Sequence, residues 1–153
     1  MINGSELIKE NSQRKNISSV NSLFKKSKFS KVKLVRIASH FSELHKVMPV
    51  ASKIKSLGYK VAINLMQISD RTENEIQQFC VLAKKNNMDA VYFADSTGSL
   101  NRDQTLEIIK IAAKNSNIVG ADINELSPIK GFNSYNFLVA KLAYKILSYK
   151  FLY

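Results

Sequence analysis

Apolar and polar positions form two kinds of segment from Lys31 onward. Short apolar runs rich in β-branched residues alternate with longer stretches whose apolar residues recur at spacings of three and four. The short runs begin at Val32, Lys60, Ala90 and Asn117, so their starts are 28, 30 and 27 residues apart. That spacing fits a strand, a helix and two loops, and its repetition is typical of βα units. The pattern predicts an α/β fold with a parallel sheet of about four βα units, as a partial TIM barrel (half-barrel) or an open sheet.

The longer stretches predict four helices. They span residues 42–57, 72–86, 102–114 and 134–149. Gly58 follows the first helix as a C-terminal stop, and Asp70 or Thr72 can cap the second. In the last helix we expect one apolar face, formed by Phe137, Leu138, Leu142, Ile146 and Leu147, with Lys141, Lys145 and Lys150 in solvent. The first thirty residues lack a clear period beyond a short strand-like start, and we expect a loop and a short helix there.

Composition and charge narrow the class of protein. A chain of 153 residues with 45% hydrophobic content can bury the core of one domain. No apolar run approaches the roughly 18 residues of a membrane span, and the N-terminus has no apolar block typical of a signal peptide. We therefore expect a cytoplasmic protein without a membrane partner. The net charge of +11 attracts anions in a general way.

Basic residues concentrate in residues 14–36, where Phe24 and Phe29 are interleaved with lysines. Such a segment can be a solvated connector, or a surface that holds phosphates and stacks bases. A basic run is typical of a solvated surface, so we favour the connector. Nucleic acid is therefore not an expected partner.

The single cysteine and the two histidines define no site by their spacing. Cys80 is the only cysteine, so no internal disulfide can form, and its position among helical apolar residues indicates a buried structural thiol. His40 and His45 are five residues apart, a spacing that matches neither His-x-His nor the helical pair of a zinc protease. His40 follows a predicted strand, and His45 is expected on a helix surface.

Several segments of the first 114 residues resemble an enzyme family. They are "MINGSEL", "VKLVRIASHFSEL", "GYKVAINLMQISDRTENEIQQFC" and "DAVYFADSTGSLNRDQTLEIIKIA". Together they resemble the metal-dependent TIM-barrel aldolases related to 4-hydroxy-2-oxovalerate aldolase and HMG-CoA lyase, and "DSTGSL" is similar to that family's Asp-Ser-x-Gly turn. The resemblance implies that residues 1–114 correspond to the third to sixth strands of the barrel.

The resemblance also implies a chemistry and a pocket. In that family a divalent metal, manganese or magnesium, binds the enolate of pyruvate or a related acyl group while a carbon–carbon bond is cleaved or formed. Its ligands are the Asp of an Arg-Asp pair and a His-x-His, and neither motif is in this sequence, so no residue is assigned as a metal ligand or as catalytic. The resemblance places Asp95, Ser96 and Gly98 at the substrate pocket, and His40, at a strand's C-terminal end, is a further candidate.

The same residues also fit a purely structural role. Asp95 and Ser96 can bond nearby amides in a turn in which Gly98 has a positive φ. Arg36 and Asn64 are weaker candidates for polar contacts inside a barrel. Burial of Arg36 would require a partner such as Asp95 or Glu43.

Residues 115–153 resemble a different family. Gly120, Asp122, Glu125 and Pro128 form the pattern Gly-x-Asp-x-x-Glu-x-x-Pro before a helix, similar to the C-terminal end of arginases and agmatinases. The resemblance implies that Glu125 accepts hydrogen bonds from a substrate guanidinium. A carboxylate at a strand end or a helix cap is the alternative. That family's metal-binding His and Asp clusters have no counterpart here.

The two resemblances meet between residues 106 and 117, and this leaves three hypotheses for function. The first is a truncated or chimeric 2-oxo acid aldolase, inactive alone because metal motifs are missing. The second is an arginase-like or agmatinase-like ureohydrolase remnant, and the third is a non-catalytic module that binds anionic partners through residues 25–36. A product joined from two reading frames is favoured over a genuine fusion. Because a half-barrel leaves sheet edges open, we expect self-association or another chain that completes the barrel, with a 2-oxo acid as ligand once it is complete.

Overall fold

The computed structural model describes residues 1–124, 129–131 and 133–152. Its strands are β1 (Ile2–Asn3), β2 (Leu34–Ser39), β3 (Lys60–Leu65) and β4 (Ala90–Phe93). Its helices are α1 (Gly4–Leu7), α2 (Gln13–Leu23), α3 (Leu44–Ser56), α4 (Glu73–Lys85), α5 (Arg102–Asn115) and α6 (Ser134–Leu152). Short 3-10 turns occur at Ser27–Phe29, Phe41–Glu43 and Ile68–Asp70. The predicted α/β class is confirmed.

The strands form one parallel sheet in the order β1-β2-β3-β4. Three predicted strands are present, with β2 beginning two residues after the predicted start. The strand predicted from Asn117 is wrong for residues 117–124, which have no regular structure, and Glu125 lies outside the described residues. The fourth strand is β1, which lies in the short strand-like start predicted from the sequence and pairs with β2 at Ile37 and Ala38. Residues 117–124 have the apolar pattern of a strand but no strand partner, and a strand needs a neighbour to bond its backbone.

Register gives the sheet two different faces. Ile37 of β2, Ile63 of β3 and Val91 of β4 lie side by side in one row, so their side chains share a face. The apolar face consists of Val35, Ile37, Val61, Ile63, Leu65, Val91 and Phe93, and its members on β2 and β3 are fully or almost fully buried. The polar face carries Arg36, Asn64 and Tyr92 beside small buried residues, Ala38 and Ala62.

Helix α4 begins and packs as its sequence predicts. The Thr72 hydroxyl accepts the Glu75 N–H at 3.3 Å, and the Glu75 carboxylate accepts the Thr72 N–H at 2.8 Å, which forms a capping box. Phe79, fully buried, meets Phe93 edge-on with ring centroids 5.8 Å apart, so α4 lies against the apolar face. Gly58, with φ of 91°, ends α3 as expected.

Helix α2 replaces most of the predicted N-terminal loop. Asn16, which is almost fully buried, donates through Nδ2 to the Glu10 carbonyl and accepts the Glu10 N–H, both at 3.0 Å. This reciprocal pair satisfies a buried amide and joins the helix to the preceding segment. Val20, one turn later, is fully buried. Residue spacing indicated only a short helix somewhere in this segment, because the polar residues of α2 outnumber its apolar ones.

The chain divides into two compact units, residues 1–100 and 101–153. The first contains the sheet with α1 to α4, and the second contains α5 and α6. In α6 none of the described residues is fully buried, and Phe137, Leu138 and Leu147 are 70%, 51% and 55% exposed. The apolar face predicted for this helix is therefore not buried as expected. Within the described residues, no helix combines the length and the apolar character needed to cross a lipid bilayer.

Candidate functional site

The loop after β4 is organised around one carboxylate. Asp95 accepts the Ser99 N–H on Oδ1 at 3.2 Å and the Leu100 N–H on Oδ2 at 3.0 Å. Gly98, inside this turn, has φ of 65° and no atom close to where a Cβ would lie. Both carboxylate oxygens therefore bond the loop's own backbone, as the structural reading of this turn predicts.

Hydroxyl groups join this loop to the loop after β3. The Ser96 hydroxyl accepts the Gln67 N–H at 3.3 Å, and the Ser99 hydroxyl donates to the Ser69 hydroxyl at 2.9 Å. Gln67 has φ of 52°, a left-handed conformation that a glutamine adopts only when its surroundings hold it there. Because the carboxyl ends of parallel strands share one edge of a sheet, the two loops form a single structured rim there.

His40 lies at the same edge, directly after β2, and is exposed. Its backbone N–H donates to Glu43 Oε2 at 3.2 Å, which begins the turn that precedes α3. No side-chain hydrogen bond links His40 to Asp95 or Ser96 within the part of the chain that the structure describes. His45 is exposed on α3, as the sequence predicts. The structure thus places Asp95, Ser96 and Gly98 in one loop and His40 in a separate one.

Arg36, Asn64 and Tyr92 form a polar cluster on the sheet. The Arg36 guanidinium lies over the Tyr92 ring, with Cζ 4.9 Å from the ring centroid. Arg36 is only partly buried, and the carboxylates of Asp95 and Glu43, which a buried Arg36 would require, bond backbone amides. An aromatic face attracts a guanidinium without neutralising its charge. Asn64 is 8% exposed and lies in the same row as Tyr92.

Tyr92 is the residue of this cluster that sequence reasoning missed. It occurs inside the strand-like run "AVYFADS", where an aromatic residue is expected to be buried in the hydrophobic core. The signal that could have found it is strand alternation, since Tyr92 and Phe93 must point to opposite faces of the sheet. Tyr92 is 37% exposed, whereas Phe93 contacts the buried Phe79.

Two titratable groups lie away from this cluster and serve the fold. Burial raises the pKa of Asp89, but hydrogen bonds from Lys55 Nζ at 2.6 Å and the Val61 N–H at 2.8 Å outweigh it, so the pKa is lowered. Burial raises the pKa of the half-buried Cys80 thiol. A raised thiol pKa disfavours the reactive thiolate, which agrees with a structural cysteine.

The metal implied by the aldolase resemblance does not fit the residues seen here. Across residues 1–124, 129–131 and 133–152, no three His, Cys, Asp or Glu side chains are grouped closely enough to hold an ion. The candidate Glu125 and its neighbour Pro128 lie outside the described residues. Gly120 and Asp122 are exposed in the irregular segment before them.

Comparison with known proteins gave no matching family model, no matching curated protein and no matching solved structure. The resemblances to the aldolases and to the arginase and agmatinase family therefore stay predictions. The junction predicted near residues 106–117 also stays a prediction, since the compact units describe packing rather than ancestry.

Proposed function

We propose that this chain binds a small 2-oxo acid on the polar face of its sheet, as part of an aldolase-type site whose metal ligands come from another segment or chain. The observation that carries the proposal is the Arg36 guanidinium, which stacks on Tyr92 and has no carboxylate partner among the described residues. A partly buried cation without a counterion is well suited to bind an anionic ligand.

The chemistry of the cluster fits a carboxylate beside a carbonyl. A guanidinium offers a planar pair of N–H donors that matches the two oxygens of a carboxylate. The Asn64 amide, buried in the neighbouring strand, makes no hydrogen bond with another described side chain, so it can donate to a second oxygen. Small side chains at Ala38 and Ala62 share this face of the sheet.

The loop of Asp95 acts indirectly in this proposal. Its carboxylate orders the rim that borders the polar face, and its oxygens are engaged by the Ser99 and Leu100 amides. A metal, if another segment provided its ligands, would stabilise the developing enolate charge. Because the described residues group no ligands for it, no catalytic step is derived through a metal, and the chain alone is expected to bind but not to turn over.

Pyruvate binding followed by amide NMR tests the proposal. We expect chemical-shift changes at Arg36 and Asn64, and Arg36→Met should weaken binding about 10- to 100-fold, since hydrogen bonds to a charged group contribute about 1.5–3 kcal/mol. Arg14→Met is the matched control, because Arg14 is exposed and distant in sequence from the cluster. Equal pyruvate affinity in both variants would contradict the proposal.

Turnover assays test the expectation that the chain alone binds a 2-oxo acid but does not catalyse a reaction. With manganese present, the chain alone should release no pyruvate from a 4-hydroxy-2-oxo acid. Release by the chain alone would show that its own residues complete the metal site. Release of urea from agmatine would instead support the ureohydrolase hypothesis.

A further inference from the structure

Among the described residues, no strand pairs with the amino-terminal half of β2 on the side that faces β1, and we call this part of β2 the free edge. Strand β3 pairs with all six residues of β2, whereas β1 pairs only with Ile37 and Ala38. The Lys60 N–H donates to the Lys33 carbonyl at 2.9 Å, so the alternation of a parallel ladder directs the N–H and C=O of Leu34 away from β3. Leu34 is 44% exposed. An unpaired strand edge of this kind can accept another strand.

A depression of about 460 Å³ lies along this edge. It is lined mainly by apolar side chains, among them Leu23, Phe24, Phe29, Val32 and Tyr59. Leu23, Phe29 and Val32 are more than half exposed. One wall is ordered, because the Phe24 and Tyr59 rings meet edge-on at 5.8 Å and the Tyr59 hydroxyl donates to the Lys25 carbonyl at 2.9 Å. The edge therefore has side-chain pockets beside it.

The chain segment that supplies most of the depression's lining is strongly basic in sequence, and Lys25 and Arg36 belong to the lining itself. Between Glu10 and Glu43 the chain has no acidic residue, and it has eight basic residues, Arg14, Lys15, Lys25, Lys26, Lys28, Lys31, Lys33 and Arg36. None of the eight forms an ion pair with a carboxylate in the described parts of the chain. Lys33 Nζ donates to the carbonyls of Ser27 and of Ser30, a lining residue, at 3.2 and 3.0 Å. The local charge favours an anionic occupant.

We propose that this edge binds an extended acidic peptide segment of a partner protein, which adds to β2 as a strand beside Leu34. Alternate apolar side chains of the peptide enter the depression, and its carboxylates meet the surrounding lysines. The free edge spans about three residues, roughly 10 Å at 3.3 Å per residue, which suits a short motif. Arg36 also belongs to the proposed 2-oxo acid site, but the free edge at Leu34 and the charge-reversal test at Lys25 and Lys26 do not involve it.

A peptide fits these observations better than RNA does. A strand edge presents both N–H donors and C=O acceptors, and a peptide backbone complements both, whereas a phosphodiester backbone offers acceptors only. Base stacking needs open aromatic faces. The Phe24 and Tyr59 rings are instead packed against each other, and the Lys28 ammonium lies over the exposed Phe29 ring, 4.8 Å from its centroid.

The test uses a labelled, acetylated and amidated heptapeptide of alternating glutamate and valine, measured by fluorescence anisotropy at physiological salt. The full chain should bind it, and should bind the lysine–valine counterpart at least tenfold more weakly. N-methylation of the backbone amides that face β2 should also cost at least tenfold, because it removes the ladder bonds. The Leu34 amide should exchange hydrogen more slowly in the complex.

Charge-reversed variants separate the site from the overall charge. Lys25→Glu with Lys26→Glu should weaken binding at least tenfold, whereas Lys84→Glu with Lys85→Glu, an equal charge change on the exposed end of α4, should leave it within threefold. The proposal is overturned by absence of binding, by equal affinity for the N-methylated peptide, or by an unchanged Leu34 exchange rate. Tighter binding of an oligouridine RNA, with loss of peptide binding on competition, would assign the surface to nucleic acid instead.

Discussion

Removal of the Asp95 carboxylate tests whether this residue orders the rim or contacts the ligand. In Asp95→Ala two backbone amides, those of Ser99 and Leu100, lose their acceptor. The Ser99 amide belongs to an exposed residue, so water replaces its bond and the cost is about 0.5 kcal/mol. The Leu100 amide is partly buried and bonded to a charged oxygen at 3.0 Å, which raises its cost to about 1.5 kcal/mol. The expected loss of stability is about 2 kcal/mol.

Urea unfolding followed by far-ultraviolet circular dichroism measures this loss. With a denaturant dependence of about 2 kcal/mol per molar urea, the midpoint should fall by about 1 M. Asp95→Asn keeps one acceptor oxygen and should lose about half as much. Asp122→Ala, which also removes one negative charge from an exposed loop, should change stability by less than about 0.5 kcal/mol.

The pyruvate affinity of Asp95→Asn decides the functional question. Because both carboxylate oxygens are turned toward the loop's own amides, this variant should bind pyruvate within about threefold of the parent chain. A loss of tenfold or more would mean that Asp95 contacts the ligand directly. A change in stability below about 0.5 kcal/mol in Asp95→Ala would refute the role assigned to the two hydrogen bonds.

Three further predictions concern the fold. Phe79→Ala should destabilise the chain by about 3–5 kcal/mol, because it removes a fully buried ring that packs on Phe93, and a cost below about 1 kcal/mol in urea unfolding would contradict that packing. The hydrogen bond from the Thr72 N–H lowers the pKa of Glu75. The capping box should therefore stabilise α4 fully at pH values above the ordinary pKa of a glutamate, and this stabilisation should be lost as the pH falls through the lowered pKa. In Glu75→Gln, acid unfolding should depend less on pH. Because burial raises its pKa, Cys80 should react with iodoacetamide at pH 8 more slowly than free cysteine, and an equal rate would show an open thiol.

The sequence alone determined the repeating units and several of their ends. Apolar periodicity placed β2, β3 and β4 and the four long helices, because side chains recur on one face of a strand or helix at a spacing set by its backbone geometry. Thr72 and Gly58 marked a helix start and a helix end, since caps depend on local groups. The Asp95 turn was also predictable for this reason.

Tertiary structure decided which segments obtained partners. Residues 117–124 have a strand-like pattern but form no strand, whereas the two residues Ile2 and Asn3 pair with β2, because pairing depends on the neighbour that is present. Helix α2 forms where the pattern was weak, since the buried amide of Asn16 finds both its partners on Glu10. The spacing of apolar residues indicates which face of a strand or helix a residue occupies. It does not indicate which other segment of the chain packs against that face.

The candidate site shows the same division. Sequence reasoning identified Arg36 and Asn64 as candidates, and it inferred that a buried Arg36 would require a carboxylate partner. The sheet instead brings Tyr92 beside Arg36 through the parallel register of β2, β3 and β4. Register arises from packing between strands that are distant in the chain, and only the assembled sheet specifies it.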